Sequence, residues 1–161
     1  MSSPSRKTSI ERVLQKILAL KPTTVEEARA GGLQIRLLDS GMYRKVFKVK
    51  HCDLVIKFPG GLGNIRESIK HSTQEMNRLK RLQKWEIVNR FLPEVFYYDK
   101  KSGVIVMRYY RGFSDFEEQA DAMGRVIGKL IQRLTRVRCD DVHTENVRQN
   151  RDDAVIIDLG F

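Results

Sequence analysis

A change of hydrophobic period at Leu33 is the feature that most constrains the fold of this chain. Before it, the segment SIERVLQKILAL at 9–20 places its apolar residues on one helical stripe, with Ser9 as the expected N-cap. After it, LQIRLLDSGMYRKVFKVKHCDLVIKF at 33–58 predicts three short strands separated by two turns. The pattern therefore predicts a helical segment followed by a sheet.

The rest of the chain alternates between the helical and the strand period. The segment 64–88 predicts a long amphipathic helix with an apolar stripe of Ile65, Ile69, Met76, Leu79 and Leu82. EVFYYDKK and GVIVMRYY predict two further strands, and AVII at 154–157 predicts a last one. Residues 114–138 predict a second long helix whose inward side chains are Met123, Val126, Ile127, Leu130, Ile131 and Leu134. We therefore expect an α+β fold.

Composition narrows the class of protein without deciding its function. The chain has 161 residues, of which 41% are hydrophobic, so it can bury a core. Its apolar runs are too short to cross a membrane, and we recognise no secretory signal, so we expect a cytoplasmic protein. Two cysteines are too few for a disulfide framework. The net charge of +10 is spread over helical segments, and solvated helix faces account for most of it.

Residues suited to phosphate and metal chemistry recur at four places along the chain. CDDVHTENV carries Asp141 and Asn146, and the AVII run is followed by Asp158 in VIIDLGF. Carboxylate and amide oxygens are ligands that magnesium accepts. LVIKF ends an apolar strand on Lys57, and DSGMYRKVF places Gly41 in the turn between two strands.

These four motifs, in this order, resemble those of the protein-kinase-like superfamily, from Leu33 to Phe161. CDDVHTENV is similar to the family's H-R-D-L-x-x-x-N, and its D-x-H-x-x-N form resembles the aminoglycoside- and choline-kinase-like branches. VIIDLGF is similar to D-F-G, and LVIKF to V-A-I-K. The resemblance implies a protein-kinase-like bilobal fold, with a five-stranded N-lobe and one helix, and a reduced C-lobe that ends at the D-F-G-like motif.

The resemblance also implies roles for single residues. Asp141 would orient the acceptor hydroxyl and take its proton, while Asn146 and Asp158 would hold Mg²⁺. Lys57 would reach the α- and β-phosphates of ATP, and a helical glutamate would pair with it. We prefer Glu75 as that partner, since it lies close to the predicted apolar stripe, with Glu67 as the rival.

The glycine-rich loop departs most from the family pattern G-x-G-x-x-G-x-V. Asp39 takes the first glycine position, Gly41 the second and Arg44 the third, and Arg44 would either add charge or block the loop. The aromatic and the valine are kept as Tyr43 and Val46. By the same resemblance, Gly41, Tyr43, Val46 and Lys57 would contact the nucleotide, with Val46 over the adenine. VIVMRYY would supply the gatekeeper Met107 and the hinge residue Tyr109.

We accordingly expect three segments: a helical extension at 1–32, a kinase-like N-lobe and hinge at 33–112, and a minimal C-lobe at 113–161. The sequence ends directly after the Asp158 motif, without an activation segment. It therefore resembles small bacterial, phage or effector-type kinases.

The predicted function is an ATP- and Mg²⁺-dependent kinase that phosphorylates a hydroxyl of a protein or a small molecule, similar to a Ser/Thr protein kinase. The alternative is a pseudokinase or nucleotide-binding scaffold that docks a partner protein without phosphoryl transfer.

The basic helix at 64–84 is a candidate docking surface for an acidic protein. We do not expect direct nucleic-acid binding, because a solvated helix face explains RLKRLQKW at 78–85. His143 and Glu145 form the first half of a zinc deaminase signature, but no later cysteine pair completes it.

Overall fold

The protein consists of one antiparallel sheet, a β-hairpin and five helices in its described part. A computed structural model describes residues 4–112, 117–137, 146–150 and 153–158. In chain order the elements are α1 Pro4–Leu20, α2 Val25–Ala30, β1 Ile35–Ser40, β2 Arg44–Val49, β3 Leu54–Pro59, α3 Ile65–Leu82, α4 Glu86–Asn89, β4 Val95–Tyr98, β5 Ile105–Arg108, α5 Glu117–Thr135, β6 Val147–Asn150 and β7 Asp153–Ile156.

The sheet has the strand order β1-β2-β3-β5-β4, and every neighbouring pair is antiparallel. The predicted α+β class is confirmed, as is the order of three strands, a helix, two strands and a helix. Strand β3 lies at the centre of the sheet, and Leu54 to Phe58 are all buried. A strand buried over its whole length is covered on both faces, so its odd and even positions contact different layers.

The first compact unit comprises the described residues up to Ser72 together with Glu94–Tyr109. Its core lies between one face of the sheet and helices α1 and α2. The strands contribute Ile35, Phe47, Val49, Leu54, Ile56, Phe58, Val104 and Val106, and the helices contribute Ile17 and Ala28. The helical segment at 1–32 therefore shares its core with the sheet, because its apolar stripe covers the side of β3 that carries Ile56.

Helix α2 shows how local sequence sets these boundaries. Thr24 is its N-cap, and the Thr24 hydroxyl accepts a hydrogen bond from the Glu27 N–H at 3.2 Å. The Glu27 carboxylate in turn accepts from the Thr23 N–H at 2.7 Å and from the Thr23 hydroxyl at 2.9 Å. These bonds lower the pKa of Glu27 and satisfy donors that a helix start leaves open.

The second compact unit comprises Thr73–Pro93 and the described residues from Tyr110 onward. Helix α5 packs against the antiparallel hairpin β6–β7. The hairpin is anchored on both sides, because the Ile156 N–H donates to the Phe91 carbonyl and the Gln149 N–H donates to the Arg111 carbonyl, each at 2.9 Å. None of the helices in the described part of the chain combines the length and apolarity that a membrane crossing requires.

Four details of the sequence prediction are wrong. Helix α1 begins at Pro4, so Ser9 lies inside it and is not the N-cap. Helix α3 ends at Leu82 rather than near residue 88, because the chain turns there and the Trp85 N–H donates to the Leu82 carbonyl. Ile65 is exposed, since it opens the first turn of α3, and Val126 of α5 is also exposed because it lies beside the apolar stripe rather than on it.

Candidate functional site

The face of the sheet opposite the α1–α2 core carries three of the predicted nucleotide-contacting side chains. Val46 of β2 lies directly opposite Lys57 of β3, and Val55 lies directly opposite Met107 of β5. Directly opposed residues project to the same side of an antiparallel sheet. Since Ile56 belongs to the α1–α2 core, its neighbours Val55 and Lys57 project to the other side. We call this side, with Val46, Val55, Lys57 and Met107, the Lys57 face.

Lys57 is buried in the central strand, with 5% of its surface exposed. Arg44 lies two residues before Val46 on the same side of β2 and is 8% exposed. Removing a cation from water costs several kcal/mol unless nearby anions or hydrogen bonds compensate for it. The Lys57 face thus carries two buried cations, Lys57 and Arg44, beside the apolar side chains of Val46, Val55 and Met107.

Burial separates the two candidate partners of Lys57. Glu75 is 4% exposed, whereas Glu67 is exposed at the start of α3. A carboxylate withdrawn from water requires a positive counter-charge or several hydrogen bonds, and an exposed one does not. The buried side of α3 also carries Ser68, whose hydroxyl donates to the Asn64 carbonyl at 3.0 Å, and Ser72. The Lys57–Glu75 pair itself stays a prediction.

The turn between β1 and β2 carries Gly41 and Tyr43. The Gly41 N–H donates to the Arg44 carbonyl at 2.8 Å, which closes the turn. The Tyr43 ring stacks on the imidazole of His71 from α3, with 4.0 Å between ring centres and 17° between planes. Gly41 is exposed and Tyr43 is half-buried. The turn thus lies at the end of β2 that carries Arg44.

Met107 and Tyr109 occupy different environments. Met107 is buried within the sheet, between Val55 on β3 and Val95 on β4. The Tyr109 N–H donates to the Asp53 carbonyl at 2.9 Å, and the Lys48 ammonium lies 4.8 Å from the centre of the Tyr109 ring. The Tyr109 N–H therefore already donates within the protein, and the Tyr109 ring already contacts the Lys48 ammonium.

The second unit brings the two predicted magnesium ligands to one end of the β6–β7 hairpin. Val147 and Ile156 are paired, and the Ile157 N–H donates to the Asn146 carbonyl at 2.9 Å. Asn146 therefore lies just before β6, and Asp158 lies shortly after β7, at the same end of the hairpin. Both residues are half-buried. Asp141 lies outside the described residues, as do Cys139 and His143.

Other chemistry-bearing groups in the described residues offer no rival centre. No group of three or more His, Cys, Asp or Glu side chains among them is arranged to hold a metal. Burial raises the pKa of the Cys52 thiol, which keeps it protonated and poorly nucleophilic. An open depression on α5 is lined by Lys129, Gln132 and Arg133 and includes none of the predicted site residues.

Sequence reasoning missed two parts of this site. His71 carries no motif, and only the structure shows it stacked on Tyr43. The motifs gave no role to the segment Pro59-Gly60-Gly61-Leu62-Gly63, although three glycines in four positions are a signal of close backbone approach. That approach is to the β1–β2 turn.

Comparison with known proteins finds a distant structural likeness. No family model and no curated protein matches the sequence. Among solved structures, the fold is similar to that of the streptomycin–ATP–APH(2")-IIa ternary complex, with 19% sequence identity and a TM-score of 0.42. The alignment covers 79% of this chain and 46% of that one, so the chain spans less than half of the matched protein. That protein is an aminoglycoside phosphotransferase.

Proposed function

We propose that the protein is an ATP- and Mg²⁺-dependent phosphotransferase that moves the γ-phosphate of ATP to a hydroxyl group of a protein or a small molecule. The observation that carries the proposal is the burial of Lys57 in the central strand, directly opposite Val46 and on the same side of the sheet as Met107. Lysine is rarely buried, and buried ionisable groups cluster at functional sites, so a lysine at this position supports a role in binding an anion.

The Lys57 face offers chemically distinct surfaces for the parts of a nucleotide. Val46 and Met107 supply apolar area for a base, and Lys57 supplies a positive charge for the α- and β-phosphates. Glu75 would pair with Lys57 and hold its ammonium group in place. The Gly41 turn, at the Arg44 end of β2, would lie over the phosphates. Tyr109 would contribute its ring beside the base.

Asn146 and Asp158 fit a magnesium ion by the chemistry of their donors. Both supply hard oxygen atoms, and hard oxygens are the ligands that Mg²⁺ prefers. When bound, Mg²⁺ neutralises charge on the β- and γ-phosphates. In this proposal Asn146 and Asp158 hold the ion, while Asp141 orients the acceptor hydroxyl and takes its proton. The acceptor is any hydroxyl that reaches Asp141, including that of a Ser or Thr side chain.

The alternative is a nucleotide-binding scaffold without phosphoryl transfer. It is favoured by the single glycine of the β1–β2 turn and by the buried Arg44 at the third glycine position. In this form the protein would act through a docked partner. The exposed cations Lys80, Arg81 and Lys84 at the end of α3, beside the exposed Trp85 and Ile87, suit an acidic protein surface.

Measuring phosphotransfer in Asp141→Asn and in a neighbouring control variant distinguishes an active phosphotransferase from a nucleotide-binding scaffold. Asp141→Asn should bind ATP like the wild type but lose γ-phosphate transfer, by about 100-fold or more, because the amide cannot take the proton. Autophosphorylation and ATP hydrolysis are the measurements. Asp140→Asn, one residue earlier, should keep both binding and turnover. Equal turnover in the wild type and Asp141→Asn would support the scaffold instead.

A further inference from the structure

The β1–β2 turn is held from one side by the backbone of Gly60–Gly63, which we call the glycine clamp. The Gly60 N–H donates to the Tyr43 carbonyl at 3.0 Å, and the Gly63 N–H donates to the Met42 carbonyl at 2.6 Å. The Gly41 carbonyl oxygen occupies the position where a side chain on residue 61 would begin, because a Cβ there would lie 1.9 Å away. Three consecutive carbonyl groups of the turn therefore face the clamp.

The clamp is itself fixed at both ends. On its N-terminal side, Pro59 ends β3 and is paired with Arg44 in the sheet. On its C-terminal side, Asn64 caps α3, since its side-chain oxygen accepts from the Arg66 N–H at 2.8 Å and its carbonyl accepts from the Ser68 N–H at 3.0 Å. Because strand and helix both restrain it, the clamp is a rigid support for the turn.

The orientation of these carbonyls determines the orientation of the amides beside them. Every described peptide bond is trans, and in a planar trans peptide the C=O and the following N–H point in opposite directions. With the Gly41 and Met42 carbonyls facing the clamp, the N–H groups of Met42 and Tyr43 point away from it. The Tyr43–His71 stack restrains the same segment from α3.

We propose that the glycine clamp positions the Met42 and Tyr43 N–H groups as donors to phosphate oxygens of a bound nucleotide. The inference rests on the proposed nucleotide site and adds Gly61 and Gly63 to it as positioning residues. Donors that are fixed before binding lose little freedom when the ligand arrives. The clamp thus explains how a turn with one glycine could hold phosphates without the flexibility of three.

A series of alanine substitutions should disturb the glycine clamp to different degrees. A Cβ at Gly61 would clash with backbone at 1.9 Å, a Cβ at Gly63 would lie 3.0 Å from the Met42 carbonyl oxygen, and a Cβ at Gly112 would meet nothing within 4 Å. Gly60→Ala is left out, because its φ of +103° would strain any side chain wherever it pointed. Gly112→Ala is therefore the matched control.

The readout compares ATP with adenosine, which shares the base and the ribose but has no phosphate. The Kd for Mg-ATP should rise about tenfold in Gly61→Ala, less in Gly63→Ala and not at all in Gly112→Ala, as expected for losing a charge-assisted hydrogen bond. Calorimetric titration should find adenosine affinity unchanged throughout. If Gly61→Ala does not fold, Gly63→Ala decides the test in the same way.

Two results would contradict the proposed role of the glycine clamp, and a third would contradict the nucleotide site itself. Wild-type ATP affinity in both clamp variants would show that the clamp does not position the donors. Parallel loss of ATP and adenosine would show general damage to the sheet rather than a phosphate-specific role. If the wild type binds neither ligand, the proposed function is wrong, and the clamp with it.

Discussion

Lys57 and Glu75 are the two charged side chains on which the proposed chemistry most depends, and the fold withdraws both from water. Lys57 projects from the central strand, and Glu75 lies on the buried side of α3 together with Ser68 and Ser72. Each burial is costly alone, and the cost falls when opposite charges compensate each other. Lys57 belongs to the first compact unit and Glu75 to the second, so their pairing stays a prediction, in which Glu75 would hold the Lys57 ammonium in position for phosphate.

A double-mutant cycle tests that pair. Lys57→Met, Glu75→Gln and the double variant should show a coupling free energy of about 1–3 kcal/mol in urea unfolding, because each single change leaves a buried charge uncompensated. Glu67→Gln is the matched control on the same helix. Its substitution should change stability by less than about 0.5 kcal/mol and show no coupling to Lys57→Met. Coupling to Glu67 rather than to Glu75 would reverse the assignment.

At the scale of single elements, the β4–β5 turn shows how one carboxylate organises a connection. Asp99 accepts from the Lys101 N–H at 3.0 Å, the Ser102 N–H at 3.3 Å and the Ser102 hydroxyl at 2.5 Å. The hydroxyl contact is the main cause that lowers the pKa of Asp99 below its usual 3.8. Gly103 follows with a φ of +77°, close to the backbone of Ile69 in α3. The turn therefore depends on an ionised Asp99.

The pH dependence of stability should reveal this carboxylate. The folded-state pKa is below the unfolded one, so the stabilisation is present above the unfolded pKa near 3.8 and is lost as pH falls through the folded pKa. Wild type should exceed Asp99→Ala in stability at neutral pH, and the gap should close in acid. At neutral pH the stability of Ser102→Ala should lie between that of the wild type and that of Asp99→Ala. A difference that does not vary with pH would contradict this account of the turn.

The elements that sequence predicted well are those whose period extends over many residues. The strands β1 to β5 and the helices α3 and α5 repeat their pattern for several turns or pairs. The end of α3 was missed because the chain turns after Leu82, where the Asn89 amide donates to the Gln83 carbonyl at 3.0 Å. Strand β6 was missed because VRQN is largely polar and becomes a strand by pairing with β7.

Part of the site could be predicted from sequence motifs, and part depends on contacts between distant segments. Val46, Lys57 and Met107 were predicted from motifs, and the strand register places them on one side of the sheet. The Tyr43–His71 stack and the glycine clamp depend on contacts between segments about twenty or more residues apart. The three glycines at 60, 61 and 63 signal a close approach, but no local pattern identifies the segment that they approach, so only the structure shows these contacts.

At the scale of the whole molecule, the net charge of +10 raises the question of which molecules the positive surface binds. Lys80, Arg81 and Lys84 are exposed at the end of α3, whereas Arg78 is half-buried and interacts within the protein. Positive surface of this kind attracts acidic partners and responds strongly to salt. The proposed docking surface is therefore limited to Lys80, Arg81 and Lys84 and does not include Arg78.

Charge reversal tests the docking surface against charge in general. Lys80, Arg81 and Lys84 changed together to Glu should abolish binding of a poly-glutamate peptide at physiological salt. Arg36, Lys50 and Lys100 are exposed elsewhere, and their reversal changes the net charge equally. The control should keep most of the binding. Equal loss in both variants would mean that the peptide senses overall charge and that α3 is an ordinary solvated surface.

The central claim is that the Lys57 face binds a nucleotide, and thermal unfolding with Mg-ATP tests it most directly. At about 100 times its Kd, ATP should stabilise the wild type by about 2.7 kcal/mol, a Tm rise of roughly 5–10 °C. Lys45→Met, which changes an exposed lysine of β2, should keep the rise, whereas Lys57→Met and Asp158→Ala should lose it. A wild-type Tm that does not move across millimolar Mg-ATP, or a Lys57→Met variant that shifts as much as the wild type, would contradict the account.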